Sequence, residues 1–352
     1  MNNRQLVKQN YGHPTKINQG EASRQEILSD LSDDALRFMR NKHAKNTQNA
    51  YQSDARVFTE WCFLNGVEPE KCSTADIANF LSDQASGELC RWKWSDKANR
   101  IGSLVDGEPL AYSTIYRRWN GVKFALKQRG RIFLETELDV IKEVMQGIAS
   151  KIGTEKKKVR GIKPDDLKLI FSTFDLTNHI DLRDRALLML LFAGAFRRSE
   201  ISALLVRNVK IYDGKGMEIK LAKAKRKKNG IKKTILVGEE LCPVLFLQEY
   251  MEAADIQNGY VFRRTNRGRK MLKEPISGTS IYNMVKDRCK AADLEGLFGG
   301  HSGRRGFVDA SLSAGKPLNK VMEMTGHSSV QTVQEYFDDT ERWRDNAGDG
   351  LY

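Results

Sequence analysis

Two histidines, an arginine and a tyrosine lie close together near the C-terminal end of the sequence, where few carboxylates accompany them. His301 and Arg304 are three residues apart, His327 follows Gly326, and Tyr336 comes nine residues after His327. Between positions 297 and 337 the only acidic residues are Asp309, Glu323 and Glu335. Metal-dependent phosphate chemistry needs oxygen ligands, which this stretch mostly lacks. Cations around a phenol instead suit attack on a phosphodiester without a metal.

The spacing of these residues allows both a functional and a purely structural interpretation. His301 and Arg304 are predicted to share one face in the first turn of a helix, where backbone N–H groups and the helix dipole favour a phosphate. A surface salt bridge from Arg304 and a capping role for His301 would explain the same pair. Tyr336 near a helix end has the features of a half-buried core residue. As a nucleophile it needs cations to offset its ordinary pKa near 10.

Two further segments upstream offer cations to the same chemistry. Arg197 and Glu200 follow an apolar run, so the glutamate is predicted to fix the arginine in a cleft. A cation at a helix end with a capping glutamate is the structural alternative. Lys225 near a predicted hairpin turn is placed to donate a proton to a leaving oxygen. Most of the other lysines of this hairpin are expected to be solvated or to contact DNA (Lys223, Lys227, Lys228, Lys232, Lys233).

The composition favours a nucleic-acid partner. Lysine and arginine total 58 against 45 acidic residues, which gives a net charge of +13 over 352 residues. This length predicts two domains, and 40% apolar residues are enough for real hydrophobic cores. Five scattered cysteines without a CxxC pair indicate reduced, mostly buried thiols. The polar N-terminus and the lack of a long apolar run predict a cytoplasmic protein without membrane contact.

The first part of the chain is predicted to be helical. Residues 1–22 are interpreted as a flexible arm, and residues 23–150 as one helical domain. Its predicted helices cover 27–40, 47–61, 75–81 and 115–128, with Asn46-Thr47, Ser73-Thr74 and Ser113-Thr114 as the caps of the last three. The exposed face of the fourth helix is predicted to bind DNA through four cations (Arg117, Arg118, Lys123, Lys127).

An unusual stretch, 86–111, lies between the third and fourth predicted helices. It carries Trp92 and Trp94 among basic residues and glycines. Such a mixture suits stacking on bases or contact with a nucleic-acid backbone. We favour the alternative, a long loop whose tryptophans pack back on the domain, because a loop of this length needs anchoring.

The second part of the chain is predicted to be a mostly helical domain with a small antiparallel sheet. A charged run at 151–160 is interpreted as a linker before a domain at 161–336. Helices are predicted from Pro164, at 182–196, 278–292, 301–314 and 317–325, and from Ser328-Ser329 through Tyr336. Strands at 217–225 and 231–237 are predicted to form a hairpin, with its turn at 227–230.

The order and spacing of these motifs resemble the tyrosine recombinase (phage integrase) family. Over about 161–340 the chain has Arg-x-x-Glu, a hairpin lysine, His-x-x-Arg, and Gly-His followed nine residues later by Tyr. The start Asn-Thr-x-x-x-Tyr at 46–51 and the Ser113-Thr114-Ile115 helix resemble the family's core-binding domain. His-Ser-Gly-Arg-Arg-Gly at 301–306 is closer to the Cre-type simple recombinases than to Xer enzymes. His327 departs from the Cre-type pattern, which has tryptophan there.

The resemblance implies a mainly α fold in the family's two-domain architecture, a helical core-binding domain and a catalytic domain. It implies that Tyr336 attacks a DNA phosphate to form a 3′-phosphotyrosyl bond without metal, ATP or other cofactor. Arg197 and Arg304 would bind the non-bridging oxygens, and Lys225 would be the general acid. His301 would assist proton transfer, His327 would donate a hydrogen bond to the phosphate, and Glu200 would give structural support.

The resemblance also implies a site-specific recombinase of a mobile element, acting as a homotetramer on double-stranded DNA with inverted-repeat sites. Residues 337–352 would dock on a neighbouring protomer; a frayed terminus explains them equally well. A telomere resolvase or type IB topoisomerase would share the chemistry, but those enzymes carry extra domains or different spacing around the tyrosine. A catalytically idle DNA-binding protein is the alternative outside enzymes. The DNA sequence, the direction of recombination and any accessory protein are left open by the sequence.

Overall fold

The computed structural model of the protein describes residues 28–40, 45–96, 101–155, 158–221, 230–327 and 329–334. The chain divides into two compact units, Met1–Lys156 and Lys157–Tyr352, each with its own hydrophobic core. The predicted arm at 1–22 and the tail at 337–352 lie outside the described residues. So do four predicted site residues (Lys225, Lys227, Lys228, Tyr336).

The first unit is built mainly from helices. They are α1 (Asp33–Arg40), α2 (Lys45–Leu64), α3 (Thr74–Ser86), α4 (Tyr112–Gln128) and α5 (Glu135–Ile152). Helix α2 packs on α4, and α3 packs on α5. The core between them is rich in aromatic rings, with Phe58, Trp61 and Phe80 in mutual contact.

The predicted helix caps are right at one position and wrong at two. The Ser73 hydroxyl accepts the backbone N–H of Asp76, and the Asp76 carboxylate accepts the N–H of Ser73, which caps α3. Helix α4 starts one residue before Ser113, with Ala111 as its N-cap, and Asn46 lies inside α2. The first predicted helix, 27–40, is interrupted: residues 28–29 are helical, residues 30–32 are not, and the Ser32 hydroxyl accepts the N–H of Ala35 at the start of α1.

Two elements of the first unit were not predicted. The expected loop at 86–111 contains an antiparallel hairpin of β1 (Arg91–Asp96) and β2 (Ile101–Val105), with Arg91 opposite Val105. Alternating basic and aromatic residues in β1 have the period of a strand, which explains the error. Helix α5 covers part of the predicted linker and buries Ile141, Met145 and Ile148 at helical spacing.

The second unit is organised around a buried helix, α7 (His179–Ala193), which follows α6 (Pro164–Ser172). The predicted buried helix is present, and the residues from Asp181 to Leu191 are all buried, including four charged residues at its start that the apolar composition did not predict to be buried. The helix starts earlier than expected because the Asn178 side chain accepts the N–H of Ile180. It ends before Phe196 because Ala195 has a left-handed backbone with φ of 45°. A short helix, α8 (Arg198–Ser202), follows this turn.

A three-stranded antiparallel sheet has the order β3 (Val209–Tyr212), β4 (Gly216–Leu221) and β5 (Ile231–Leu236). The predicted hairpin is the β4–β5 pair, in which Ile219 lies opposite Lys233. Strand β3 was not predicted, and residues 222–229 between β4 and β5 lie outside the described part of the chain. Helix α9 (Pro243–Ala253) follows, packs on α7, and leads to a second hairpin of β6 (Arg263–Thr265) and β7 (Met271–Pro275).

Four helices complete the described fold. They are α10 (Gly278–Ala291), α11 (Ser302–Ser313), α12 (Leu318–Thr325) and α13 (Val330–Gln334), and the first three match the predicted bounds to within a residue at each end. Val308, Val321 and Val333 bring the last three together in a small apolar cluster. No described helix has the length and apolar character needed to cross a membrane. The mainly helical fold with small antiparallel sheets is therefore confirmed.

Candidate active site

Two glycines allow α11 to lie directly against the second unit's core. A β-carbon added at Gly303 would lie 2.9 Å from the β-carbon of Leu191 on α7, and one at Gly306 would collide with the Ile162 carbonyl. This close approach buries Arg304, which is only 1% exposed. The glycines of the His-Ser-Gly-Arg-Arg-Gly motif therefore have a packing role that places the arginine deep in the unit.

Arg304 makes two directed contacts with its forked guanidinium. Its Nη1 donates to the carbonyl oxygen of Ala195 at 2.9 Å, and its Nη2 lies 2.7 Å from Nε2 of His327. Because arginine only donates, Nε2 of His327 is the acceptor and carries no proton. The turn after α7 and the end of α12 thus meet at Arg304.

The second ring nitrogen of His327 is fixed by a short hydrogen-bond chain. Nδ1 lies 3.0 Å from the Thr325 hydroxyl, which itself donates to the Val321 carbonyl at 2.8 Å. In the neutral ring Nδ1 therefore donates to Thr325. Burial lowers the pKa of His327 to about 4, and the positive charges of Arg304 and nearby cations act in the same direction. The imidazole is neutral at pH 7.

Arg197 and Glu200 lock each other at the start of α8. Glu200 Oε1 accepts from Nη1 of Arg197, and Oε2 accepts from its backbone N–H, both at 2.8 Å. The arginine side chain keeps 39% exposure, while the glutamate side chain is 16% exposed. The predicted support of Arg197 by Glu200 is present, and it leaves part of the guanidinium open to a ligand.

His301 occupies the N-cap position of α11 and is exposed at the surface. Although part of the residue is exposed, the atoms packed around the ring remove some of its water, and this partial burial, together with Arg198, Arg304 and Arg197, lowers its pKa. Arg198 is the cation with the largest effect on this pKa, and its Nη1 donates to the Gly278 carbonyl oxygen at 3.2 Å. A neutral imidazole at the edge of a cation cluster is suited to accept a proton.

One buried cation of this cluster was not singled out from the sequence. Lys233 on β5 is 2% exposed, and its ammonium contacts carbonyl oxygens of the turn after α7 and of α12. Lys233 is an exception to the expectation that most of the hairpin lysines are solvated or touch DNA. The alternation of β5 would have identified it, because Lys233 lies on the same face as buried Ile235.

The cations predicted to bind DNA on α4 differ in their surroundings (Arg117, Arg118, Lys123, Lys127). Buried Asp54 forms ion pairs with Arg117, which is exposed, and with Nε of Arg118 at 3.8 Å. Burial and the neighbouring Lys127 lower the pKa of half-buried Lys123, and Lys127 itself is exposed. Their contact with DNA stays a prediction.

No group of three or more histidine, cysteine, aspartate or glutamate side chains in the described ranges could hold a metal ion. The described site residues are instead Arg197, Glu200, Lys233, His301, Arg304 and His327. Five of these six side chains are cations or imidazoles, and three of them, Lys233, His301 and His327, interact with Arg304 through a hydrogen bond or through its positive charge. This arrangement suits an anionic ligand.

The chain is similar to known DNA recombinases over most of its length. The phage integrase family profile matches residues 160–342. The chain is 28% identical over 327 residues to the integrase/recombinase XerD homolog of Selenomonas ruminantium, and the aligned region covers 92% of this chain and 90% of that protein. It is 25% identical over 298 residues to tyrosine recombinase XerD of Pseudomonas putida, over 83% of this chain and 86% of that protein.

Solved structures share the fold. The transposon Tn1549 integrase in complex with circular intermediate DNA has a TM-score of 0.55 and 13% identity, over 87% of this chain and 93% of that chain. A lambda integrase dimer bound to a COC' core site has a TM-score of 0.52 and 16% identity, over 88% and 95% of the two chains. At these identities the similarity establishes the fold.

Proposed function

The chain belongs to the phage integrase family of tyrosine recombinases, and we propose that it recombines double-stranded DNA at specific sites through a phosphotyrosyl intermediate. The observation that carries this proposal is the cation cluster at the end of α7. Arg304 is buried beside His327, and Arg197 is half-exposed against Glu200. A phosphodiester is the anion that a DNA-cutting enzyme must bind and polarise.

In the proposed first step, the Tyr336 oxygen attacks the phosphorus of one strand. A bond forms between that oxygen and phosphorus, and the bond from phosphorus to the 5′-oxygen breaks. The phenol proton passes to neutral His301, and Lys225 gives a proton to the departing 5′-oxygen. The 5′-hydroxyl of a partner strand then reverses these steps, so the energy of the original bond is conserved.

The cations act where negative charge grows. Arg197 and Arg304 are proposed to bind the non-bridging oxygens of the phosphate, because both present guanidinium donors at the end of α7. Each such donor contributes about 3 kcal/mol of transition-state stabilisation. For His327 to donate to the phosphate, a proton must be on Nε2. The approaching anion favours this because it offsets the cations that lower the pKa of His327.

Several features of the assembly belong to this proposal. Residues 23–150 would form the core-binding domain and 161–336 the catalytic domain. Four protomers would act on two sites with inverted repeats, with residues 337–352 of each docked on a neighbour. A DNA substrate also fits the cytoplasmic location and the mobile-element role expected from the sequence.

The nucleophile is tested with a nicked suicide duplex that carries a site selected for binding from random sequence. We expect wild-type protein to become covalently attached to this DNA, with the link mapped to Tyr336. Tyr336→Phe should bind the DNA and form no adduct. Tyr212→Phe is the control, because that exposed hydroxyl contacts only Glu218 among its described hydrogen-bond partners, and it should react normally.

Three outcomes would contradict the proposal. An adduct that persists in Tyr336→Phe would assign the nucleophile elsewhere. A strict requirement for a divalent metal, seen as loss of the adduct in EDTA, would exclude the proposed chemistry. No adduct from wild-type protein on its own selected site would favour the idle DNA-binding alternative.

The general acid is tested separately. Lys225→Ala should slow cleavage far more than Lys223→Ala or Lys227→Ala. A substrate with sulfur in place of the 5′-oxygen needs no proton on the leaving group, so it should restore the rate of Lys225→Ala alone. Equal effects of the three substitutions, or no rescue by sulfur, would move this role to another residue.

A further inference from the structure

Lys233 differs from the other described hairpin lysines because its charged end is buried. The Nζ atom lies 2.5 Å from the Gly194 carbonyl oxygen, 2.7 Å from that of Met324 and 3.4 Å from that of Ala195. An ammonium has three protons to donate, and these three oxygens account for all of them. It also lies 4.7 Å from the centre of the Phe196 ring. Lys233 therefore faces backbone and not solvent.

The three carbonyl groups belong to two different segments of the site. Gly194 and Ala195 form the turn between α7 and Arg197, and Ala195 has the left-handed backbone with φ of 45°. Met324 lies in the last turn of α12, three residues before His327. The Lys233 ammonium thus joins the turn that leads to Arg197 with the end of α12 that leads to His327.

Arg304 shares one of these oxygens with the lysine. The Ala195 carbonyl accepts from Nη1 of Arg304 at 2.9 Å as well as from Lys233. A left-handed alanine is an uncommon conformation that its surroundings must stabilise. Two cationic donors on its carbonyl supply that stabilisation. The position of this turn, and with it the start of α8, depends on both side chains.

We propose that Lys233 is a positioning residue, whose ammonium holds the Gly194–Ala195 turn and the end of α12 so that Arg197, Arg304 and His327 converge on one phosphate. This inference rests on the proposed recombinase function for its consequence in catalysis, and on the contacts above for its structural part. Lys233 does not itself touch DNA in this proposal, because its three donors are engaged by carbonyl oxygens.

The protonation of Lys233 gives the proposal a signature that simple packing lacks. Burial lowers its pKa to about 7, Arg304 and Arg197 act in the same direction, and Glu200 opposes them. The charged and titratable groups around it are Arg197 and Glu200 from the α8 segment, Arg304 from α11 and His327 after α12. Three carbonyl acceptors require the protonated form, so loss of the proton above pH 7 removes one donor from the two segments it joins.

The test compares Lys233→Met with Lys232→Met in the full chain. Lys232 is the neighbouring lysine of the same strand, but it is exposed and paired with Glu218. With saturating suicide DNA, Lys233→Met should slow adduct formation on the order of 100-fold, the effect of misplacing catalytic groups by about an ångström. DNA affinity should change by less than about threefold, a small change when phosphate contacts are kept. Lys232→Met should react like wild type.

The pH profile separates positioning from general stability. Wild-type adduct formation should fall as the pH rises through about 7, and this limb should be absent from Lys233→Met. Lys233→Arg keeps a cation and donors at all relevant pH values, so it should fold and shift the limb beyond the range from pH 6 to 9. An unchanged limb in either variant, or equal rates in Lys233→Met and Lys232→Met, would overturn the proposal.

A readout without DNA distinguishes failure of this proposal from failure of the proposed function. Lys233 is one of the cations that lower the pKa of His327, so Lys233→Met should raise that pKa in the free protein, as measured by NMR of the ring nitrogens. Lys232→Met should not. If wild type forms no adduct but this shift is found, the recombinase proposal fails and the positioning contact stands. If the shift is absent, Lys233 does not act on the site as proposed.

Discussion

The two ends of α7 carry buried charges in contrasting ways. At its start, Arg183 and Arg288 form ion pairs with Asp181 and Asp184. At its end, Arg304 and Lys233 are held by backbone carbonyl oxygens, and Arg197 is paired with Glu200. Both clusters are in the same unit and at the two ends of the same helix, so the difference is not one of overall environment.

The cluster at the start of α7 is balanced. Asp184 accepts from Arg183 on one carboxylate oxygen at 2.7 Å and from Arg288 on the other at 2.7 Å. Asp181 accepts from Arg288 as well, at 2.5 Å. Asp184 is 3% exposed. Each buried charge has an opposite charge within hydrogen-bond distance, as a structural ion-pair network requires.

The cluster at the end of α7 keeps an excess of positive charge. Carbonyl oxygens satisfy the hydrogen-bond donors of a cation without cancelling its charge, whereas a carboxylate does both. One carboxylate, Glu200, is placed among three cations there. The balanced end of α7 therefore needs no ligand, whereas the other end has a positive potential that an anion such as a DNA phosphate would offset.

Breaking the ion pairs at the start of α7 should have the largest effect, and this effect should be on the stability of the protein alone. Asp184→Asn leaves buried Arg183 and half-buried Arg288 with one of their two carboxylate partners, which costs about 3 to 5 kcal/mol. Urea unfolding measures this loss. The matched control, Glu323→Gln, breaks an exposed pair with Lys320 and should cost under about 1 kcal/mol. Equal, small losses in the two variants would mean that the network at the start of α7 is not structural.

Removing a charge from the unbalanced cluster should instead affect chemistry. Arg304→Gln should slow adduct formation on suicide DNA by about 100- to 1000-fold, because one donor to the developing charge is lost. Its stability should fall less than that of Asp184→Asn, since its two described partners, the Ala195 carbonyl and the neutral His327 ring, are not buried counter-charges.

Arg304→Lys is the control for that variant. It keeps the charge and loses the fork that reaches Ala195 and His327 together, so its rate should lie between those of Gln and wild type. A normal adduct rate in Arg304→Gln would remove this arginine from the chemistry.

The smallest of these effects is expected for a substitution of Glu200, the carboxylate that pairs with Arg197 in the unbalanced cluster. Glu200→Gln keeps the size of the side chain and one of its two contacts to Arg197. Adduct formation should slow by about tenfold, in line with loss of a supporting contact. DNA affinity should not decrease, because the variant is more positive. Weaker binding at constant cleavage rate would show that Glu200 acts on DNA and not through Arg197.

Local signals explain what the sequence could predict. Ser73 caps α3 together with the carboxylate of Asp76, three residues later. The apolar run of α7 has no plausible position other than the core. The spacing of His301 and Arg304 follows from the helix itself. Such features depend on residues close together in the chain.

Contacts between distant segments explain what the sequence did not reveal. The burial of Lys233 depends on Gly194 and Met324, which are 39 and 91 residues away. Its strand alternation was visible, but the surrounding lysines suggested a solvated hairpin. Helix α5 was not predicted, although Ile141 and Met145 have helical spacing and face the core. The N-cap of α4 is an alanine, which has no side-chain signal.

The pKa of His327 tests the excess positive charge at the end of α7 most directly. We expect NMR of the free protein to show a neutral ring, protonated on Nδ1, with a pKa of about 4. Binding of the selected DNA site should raise that pKa, because the phosphate offsets Arg304, Arg197 and Lys233. A pKa near the ordinary 6.5 in the free protein, or a value that DNA leaves unchanged, would contradict a phosphate site at this end of the helix.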